Sequence, residues 1–281
     1  MYLYQPVVSS LLPDVKNEDI DYYFGIGNHG LGSDLIGIAS TWFFYYAMLH
    51  LLYYILGGLM KWYVKIVWPS AGTNQISDDM AYSHIKSSEI AFPLYSFVPV
   101  IGDLLRKKGY ASTCESMEEC GGFARSMMAF AVFIVLLEFI VFFDHWYILH
   151  VWKWGKANLK HDVHHQYEAS DEMTTWTGFA FDPLDGFSQG IGVAVCQLLI
   201  PVPCYFVWIL SLMIGCWTMY IHQGVPHLPW PLMGADYHFI HHKYNWYNFG
   251  FFTMFWDWVF GTLKHPTNGD NWKAPPRKKQ K

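Results

Sequence analysis

Ten of the fourteen histidines lie between residues 145 and 242, and two groups of three share the spacing H-x-x-H-H. In an α-helix this spacing turns the three rings by about 0°, 300° and 40°, so all three project from one face. Neutral imidazole is a good ligand for iron, zinc and copper. Two segments that each present three rings therefore predict a metal site. The six residues are His161, His164, His165, His238, His241 and His242.

Three more histidines, His145, His150 and His222, stand at the ends of apolar segments. Eight or more candidate ligands are too many for one tetrahedral or octahedral ion, so the set predicts two metal ions. Nearby carboxylates could orient the rings through the outer ring N–H. We assign this supporting role to four acids, and three others lie in the same region. The four are Glu138, Asp144, Asp162 and Asp257, and the three are Asp182, Asp185 and Asp236.

The pair His145 and His150 has an unusual spacing of five residues. On an ideal α-helix such a pair lies about 140° apart. The helix must therefore end between the two residues, contain a bulge, or divide its two ligands between different metal ions.

The composition indicates a membrane protein, because 53% of the 281 residues are apolar and only 15% are charged. A soluble domain usually carries about 25% charged residues. The aromatic content of 19% suits membrane-interface belts and an apolar ligand cavity. The net charge of −5 gives no support to a nucleic-acid partner.

The first membrane span is predicted at residues 35–60, which include no charged residue. Lys61 and Lys65 follow it, which places this end in the cytoplasm. The second apolar stretch, 90–105, contains Pro93 and Pro99 and could be a broken span or a re-entrant hairpin. The basic run at 106–108 would lie on the wrong side if that stretch crossed the membrane.

A third span is predicted at residues 122–143, and it leads directly to His145. Glu138 lies inside it, where an acid is a candidate functional residue. Two shorter apolar legs, 187–200 and 204–221, are divided by prolines and predict a helical hairpin that returns His222 to the same side. In the polar loop before the third span, Cys114 and Cys120 could pair if the loop faces an oxidising lumen.

The expected fold is therefore an all-α integral membrane protein with about three spans, a helical hairpin and a cytoplasmic di-metal domain. Lys278 and Lys279 are the fourth and third residues from the end, which resembles the dilysine retrieval signal of endoplasmic-reticulum membrane proteins. A basic tail at an anionic leaflet is the alternative interpretation. We expect a multi-pass protein of the endoplasmic reticulum, or otherwise of another internal membrane such as the mitochondrial inner membrane.

Three stretches beside the histidine groups carry a family resemblance: TGFAFDPLDGFSQG at 177–190, WTMYIHQG at 217–224 and NFGFFTMFWDWVFGT at 248–262. The chain resembles the fatty acid hydroxylase/sterol desaturase superfamily of membrane di-iron oxidases, and most closely its sterol C-5 desaturases. The resemblance covers about 120–265. It implies an N-terminal membrane region at 1–120 and a fatty acid hydroxylase/sterol desaturase domain at 121–281.

The resemblance also implies roles for individual residues. His145 and His150 match the first histidine box, the group at 161–165 the second, and the group at 238–242 the last. His222 matches the histidine of the family's I-H-D-G segment. His227 has no steady counterpart in the sterol branch, although the fatty acid hydroxylases carry a pair of histidines near this position. The sterol desaturases usually read H-R-x-x-H in the first box, so H-W-Y-I-L-H is one residue longer and lacks the arginine.

Two iron ions and O2 as co-substrate are the implied reactants, with a sterol or other lipid entering from the bilayer. The sequence has no flavin or nucleotide fingerprint, so cytochrome b5 and its reductase are the implied electron donors. Three hypotheses follow: a sterol C-5 desaturase; a hydroxylase of a fatty acyl, sphingoid or C-4 methylsterol substrate; or a catalytically silent relative that serves as a subunit of a membrane complex. The altered first box keeps the third hypothesis open.

Overall fold

The computed structural model describes residues 31–69, 74, 76–167, 172–223 and 228–267. Within these ranges the chain is mostly helical, and its only extended pairings are two isolated bridges. The N-terminal 30 residues, His227 and the dilysine tail lie outside the described residues. The helices are α1 Leu31–Val67, α2 Asp78–Tyr95, α3 Phe97–Lys107, α4 Phe123–Phe143, a π-helix Asp144–Val151, α5 Lys153–Asn158, α6 Asp162–His165, a 3-10 helix Thr175–Phe179, α7 Pro183–Leu199, α8 Cys204–Ile221, α9 Ala235–Tyr244 and α10 Phe255–Phe260.

Four helical stretches in the described part of the chain are long and apolar enough to cross a membrane. They are Leu35–Val67, Asp78–Lys107, Phe123–Val151 and Cys204–Ile221. The all-α membrane fold is thus confirmed. Two of the four match the first and third spans expected from the sequence, and a third is the second leg of the expected hairpin.

The remaining candidate span, Asp78–Lys107, is about twice as long as the apolar run at 90–105 suggests. Its first turns carry polar residues, and two of them, His84 and Ser88, are fully buried against protein. The break falls at Ser96 between α2 and α3. Pro99 is tolerated because it lies in the first turn of α3, where backbone N–H groups lack intrahelical partners.

Helix α7 lies at the centre of the packing, in contact with α2, α3 and α4. Two of its glycines allow the neighbours to approach closely. A Cβ atom on Gly190 would lie 2.8 Å from the Tyr95 ring, and one on Gly192 would lie 3.0 Å from Cγ2 of Ile140. The core continues through Phe133 of α4 and into α8.

In the loop between α3 and α4, Cys114 and Cys120 form a disulfide. The sequence alone left this pairing undecided. The hairpin legs form α7 and α8, joined by a short extended segment through the prolines at 201 and 203. Helix α8 ends at Ile221, so His222 follows directly on its last turn.

Candidate metal centre

Nine histidines converge into two adjacent clusters, and all nine are buried. Within each cluster the potential ligand nitrogens lie within 4.8 Å of one another. The first cluster contains His145, His150, His161, His165 and His241. The second cluster contains His164, His222, His238 and His242. His227, the tenth candidate ligand, lies outside the described residues.

The two H-x-x-H-H groups each divide their rings between the clusters. In the group at 161–165, the first and last rings join the first cluster while His164 joins the second. In the group at 238–242, the first and last rings join the second cluster while His241 joins the first. Positions i and i+4 differ by about 40° around a helix, whereas i+3 points about 60° to the other side. The spacing therefore suits two neighbouring centres better than one.

The first pair of histidines lies on the π-helix Asp144–Val151. A π-helix bonds residue i to residue i+5, so it widens the turn and brings residues five apart onto one face. His145 and His150 consequently face the same cluster, with ring centroids 5.4 Å apart. The five-residue spacing required the helix to end, to bulge or to divide its ligands between two metal ions. The structure has the bulge, in the form of this π-helix.

The Nε2 atoms of most of these rings point at each other across the clusters. In the first cluster, Nε2 of His161 lies 3.1 Å from Nε2 of His145 and 3.0 Å from Nε2 of His165. In the second, Nε2 of His222 lies 3.1 Å from that of His164 and 2.9 Å from that of His238. Such a concentration of nitrogen atoms suits cations that accept their lone pairs.

Outer nitrogen atoms of five rings are held by protein acceptors. The Nδ1–H groups of four rings donate to backbone carbonyls: His145 to Phe249 at 3.0 Å, His164 to Ala180 at 3.2 Å, His222 to Thr218 at 2.7 Å and His241 to Tyr247 at 2.8 Å. The fifth, Nδ1 of His161, donates to the Asp185 carboxylate at 2.9 Å. A donating Nδ1–H leaves a lone pair on Nε2, so Nε2 is the nitrogen of these rings that can bind a metal ion.

Burial keeps these rings neutral. It lowers the pKa of His161 to about 3 and that of His164 to about 4, because a buried imidazolium loses its hydration. Burial also lowers the pKa of His238, His241 and His242 well below the usual value, and neighbouring histidines lower it further. Neutral nitrogen donors in two groups of four and five fit two transition-metal ions.

The acids assigned a supporting role occupy other places in the site. Glu138 accepts backbone N–H bonds from Phe252 at 2.7 Å and Thr253 at 2.8 Å, and the Thr253 hydroxyl at 2.6 Å. It thereby ties α4 to the segment that carries the Phe249 carbonyl. Asp257 accepts the N–H groups of Phe249 and Gly250 at 2.8 Å each, so it acts on the same segment.

The other two assigned acids are sequence neighbours of His145 and His161. Asp144 accepts the Ser188 hydroxyl at 2.8 Å, and Asp162 is exposed beside His161. Asp185, which the sequence named only as one acid of the region, is the carboxylate that contacts a ring, and it is completely buried. The D-P-L-D motif indicates its place, since Asp182 caps the N-terminus of α7 through the Leu184 N–H and Asp185 follows in the first turn.

A cavity of about 530 Å³ reaches the histidines, which is within the roughly 300–1,000 Å³ common for small-molecule sites. Five of the nine rings line one part of it, from both clusters: His145, His161, His164, His222 and His238. Most of the remaining wall is apolar and comes from α1, α7, α8 and the 3-10 helix, including Met48, Leu52, Phe179, Val193 and Leu212. The site can therefore hold a long apolar molecule beside two metal ions.

The model of the family described as fatty acid hydroxylase matches residues 130–262. The putative Delta(7)-sterol-C5(6)-desaturase 2 of Arabidopsis thaliana is 30% identical over 236 residues, which are 81% of this chain and 81% of that protein. The Delta(7)-sterol-C5(6)-desaturase of Nicotiana tabacum is 30% identical over 180 residues, 64% of this chain and 65% of that protein. The lathosterol oxidase of Mus musculus is 24% identical over 228 residues, 78% of this chain and 73% of that protein. No solved structure matches the chain.

Proposed function

Because this chain belongs to the fatty acid hydroxylase family and its sterol C-5 desaturase branch, we propose that it introduces the C-5 double bond of a Δ7 sterol in an O2-dependent reaction. The observation that carries the proposal is the apolar cavity that ends on five histidines of two clusters. The names of the relatives supply the substrate class, and the cavity supplies a matching space. Desaturation is an oxidation, so the protein is an oxidoreductase.

The nine described histidines would hold two iron ions, four or five rings to each cluster. Bound iron supplies the means to activate O2 and to remove hydrogen from an unactivated C–H bond. The chain's own groups orient the rings: Asp185 fixes His161, and the carbonyls of Phe249 and Tyr247 fix His145 and His241. The apolar cavity wall would exclude water and hold the sterol carbon against the histidines, since position decides which bond reacts.

The longer first histidine box does not favour a catalytically silent relative. The extra residue is absorbed by the π-helix, and both His145 and His150 reach the first cluster. A structural subunit without metal would have no use for nine buried rings that converge in this way. The hydroxylase alternative shares the same metal centre and differs in the product.

The setting of the reaction follows from the same features. The chain is a multi-pass membrane protein, and its substrate is a membrane lipid. We propose the endoplasmic reticulum as the location of this chain, with cytochrome b5 and its reductase as electron donors. A fluorescent fusion that keeps the C-terminus free tests the location, and its movement to the plasma membrane after Lys278→Ser and Lys279→Ser would support the retrieval signal.

Sterol profiling tests the reaction. The chain is expressed in cells that lack their own C-5 desaturase, and Δ5,7 sterols are expected to appear at the expense of Δ7 sterols. The matched control is His165→Ala, which removes one ring of the first cluster and should give no Δ5,7 sterol. An unchanged sterol profile from well-expressed, iron-loaded protein would contradict the proposal, and new hydroxylated lipids in that case would support the hydroxylase.

A further inference from the structure

The proposed desaturation needs electrons that the chain does not supply. Removing two vicinal hydrogens from a sterol yields two electrons and two protons, while reducing O2 to two water molecules consumes four of each. Two electrons and two protons per turnover must therefore come from outside. The question for the structure is where a reducing protein would approach the histidines.

We propose that a small acidic one-electron carrier protein docks on a lysine–aromatic surface above the first cluster. This surface consists of Lys156, Lys243, Tyr244, Trp246, Tyr247 and Lys264. The inference rests on the proposed function for its electron demand, and on the contacts of these six residues for its position.

Three ammonium groups and three aromatic rings form this surface. Nζ of Lys156 lies 5.7 Å from the centre of the Trp246 ring. Nζ of Lys264 lies 5.3 Å and 5.9 Å from the centres of the Tyr244 and Tyr247 rings. Nζ of Lys243 lies 5.0 Å from the Tyr244 ring. Aromatic residues are enriched in protein interfaces, and the lysines give this one a positive charge.

The segment 245–249 carries the Trp246 and Tyr247 rings, and its backbone carbonyls also fix histidines of the first cluster. The carbonyl of Tyr247 accepts Nδ1–H of His241 at 2.8 Å, and that of Phe249 accepts Nδ1–H of His145 at 3.0 Å. The side chain of Trp246 is 60% exposed and that of Tyr247 38% exposed. One residue and one hydrogen bond thus separate the molecular surface from a histidine of the first cluster.

The corresponding bonds of the second cluster lead inward. Nδ1–H of His164 donates to the carbonyl of Ala180, a residue with no exposed surface, and Nδ1–H of His222 donates within its own helix to Thr218. Of the hydrogen bonds that hold the rings, the one from His241 therefore offers a short route to an exposed aromatic surface.

The surface is also preformed. Asn245 and Asn248 adopt left-handed backbone angles, with φ of 61° and 58°. The Asn248 side chain donates to the carbonyls of Tyr237 at 3.1 Å and Lys264 at 3.0 Å, and accepts the N–H of Lys264 at 2.8 Å. These bonds fix the segment 245–249 to the segment at 264. A partner would bind without first ordering this loop, which reduces the entropic cost of association.

Charge complementarity selects an acidic partner. Anionic lipid headgroups would also be attracted by lysines and aromatic rings near the ends of the spans. Lipid binding, however, would not require the short connection to His241, whereas electron transfer from a carrier protein needs a short path to the metal centre. We therefore assign the surface to a carrier protein, and lipid contact is one outcome of the test.

The binding test uses the full-length protein in nanodiscs of neutral phosphatidylcholine and the soluble haem domain of cytochrome b5 as an acidic one-electron probe. The variant Lys156→Glu with Lys264→Glu is expected to raise the Kd of the probe about tenfold at low salt and to weaken its salt dependence. The matched control, Lys61→Glu with Lys65→Glu, makes the same charge change at the end of α1 and should leave the Kd within about twofold. Equal effects of the two variants, or no effect of the first, would overturn the inference.

A second measurement separates docking from the metal centre. With iron-loaded protein, reoxidation of the probe haem should slow about tenfold in the Lys156 and Lys264 variant. Reduction by dithionite, which needs no docking, should proceed at the wild-type rate. An equal loss with both reductants would mean that the substitutions damage the centre, and the assignment of this surface would fall.

Labelling of Trp246→Cys by a membrane-impermeant maleimide tests the lipid alternative. Protection by the haem domain in neutral nanodiscs is expected, and protection only by anionic lipid would overturn the inference. Failure of the two proposals can be told apart. Δ5,7 sterols made by a protein whose probe binding ignores these lysines would contradict the docking surface alone. Charge-dependent probe binding with an unchanged sterol profile would contradict the sterol activity alone.

Discussion

At the metal centre the fold uses the two nitrogen atoms of each histidine ring for different purposes. In five rings Nδ1 donates to a fixed acceptor, and most Nε2 atoms face the cluster. The chain thereby sets both the tautomer and the direction of the ligand lone pair before a metal ion binds. This division of roles makes backbone carbonyls as important here as carboxylates.

His164 and His165 are neighbours in sequence but belong to different clusters, which gives a test of two separate metal sites. Each substitution, His164→Ala or His165→Ala, should lower the iron content from about two to about one per chain, because each removes a ligand from one cluster only. The double variant should retain almost none. Elemental analysis of purified protein gives the measurement.

His265→Ala is the control for these variants, since His265 is exposed and its Nδ1 is bonded to the Tyr237 hydroxyl at 2.8 Å. It should keep the wild-type metal content. Two full equivalents of iron in both single variants would contradict the division of the rings into two sites.

Residue types and spacing were enough to nominate the histidines, because imidazole rings at intervals of three and four on a helix converge on one face, as metal ligands must. Residue types and spacing could not show which ring belongs to which cluster, since that depends on where α6, α9 and the π-helix meet. Asp185 could not be chosen over Asp257 from the sequence for the same reason. Asp185 lies in the first turn of α7 and Asp257 lies in an aromatic stretch, and neither pattern indicates a histidine partner. Only the packing of α7 brings Asp185 to His161.

At the scale of elements, the π-helix is the local feature that adapts the first histidine pair to the site. Gly155 of α5 lies directly against it, because a Cβ atom on Gly155 would lie 2.1 Å from the Ile148 carbonyl oxygen. Gly155→Ala should therefore displace the π-helix and lower stability by about 1–3 kcal/mol, as overpacking typically does. Iron affinity should fall with it, since His150 follows Ile148 by two residues.

Gly58→Ala is the matched helical control, because a Cβ atom there meets nothing within 4 Å. Replacing glycine by alanine inside a helix stabilises by roughly 0.5–1 kcal/mol, so this variant should be as stable as the wild type or slightly more so. Thermal midpoints in detergent and iron titrations compare the two. A Gly155→Ala protein with unchanged midpoint would show that the contact does not constrain the π-helix.

The apolar stretches of the sequence predicted the positions of the helices well. The main difference is the start of the second candidate span, which begins at Asp78 rather than at residue 90. Hydropathy indicates where a helix meets lipid, but α2 begins at Asp78, where the Ser77 side chain caps it, and two of its polar residues, His84 and Ser88, are buried against protein. His84, for example, lies within hydrogen-bond distance of the Thr174 and Thr177 hydroxyls at 3.0 Å and 3.2 Å. A pattern of sequence cannot separate burial in protein from burial in lipid.

At the scale of the whole molecule, the candidate spans predict on which side each loop lies. If the end of α1 that carries Lys61 lies in the cytoplasm and the stretch Asp78–Lys107 crosses back, Lys108 and the loop with the disulfide lie in the lumen. That side suits a disulfide, because the lumen of the endoplasmic reticulum is oxidising. It also means that the charges at 106–108 oppose the positive-inside tendency, with Arg106 paired to Glu115.

Cysteine labelling in sealed microsomes checks this topology. A cysteine at Lys108→Cys should be shielded from a membrane-impermeant reagent added outside and should react after the membrane is permeabilised. A cysteine at Lys61→Cys should react in intact vesicles. Labelling of both before permeabilisation would mean that the stretch Asp78–Lys107 does not cross the membrane.

The apolar cavity joins the membrane helices to the metal centre, and Gly215 of α8 is a suitable place to obstruct it. Gly215 lines the cavity, and the nearest atom to an added Cβ would be a ring carbon of Phe179 at 3.9 Å. Gly215→Leu would therefore fit into α8 and extend its side chain into the space proposed for the sterol. Because a single methylene changes specificity by roughly 10–200-fold in an apolar pocket, kcat/KM for the sterol should fall at least about tenfold.

Iron content should stay unchanged in Gly215→Leu, because the substitution leaves every histidine of both clusters in place. Gly58→Leu makes the same change where the structure leaves open space, and it should retain wild-type kcat/KM. Purified protein with sterol, O2 and the electron carrier gives kcat/KM, and elemental analysis gives the iron content. Normal turnover by Gly215→Leu would place the substrate elsewhere, whereas a joint loss of turnover and iron would show that the helix, rather than the cavity, had been disturbed.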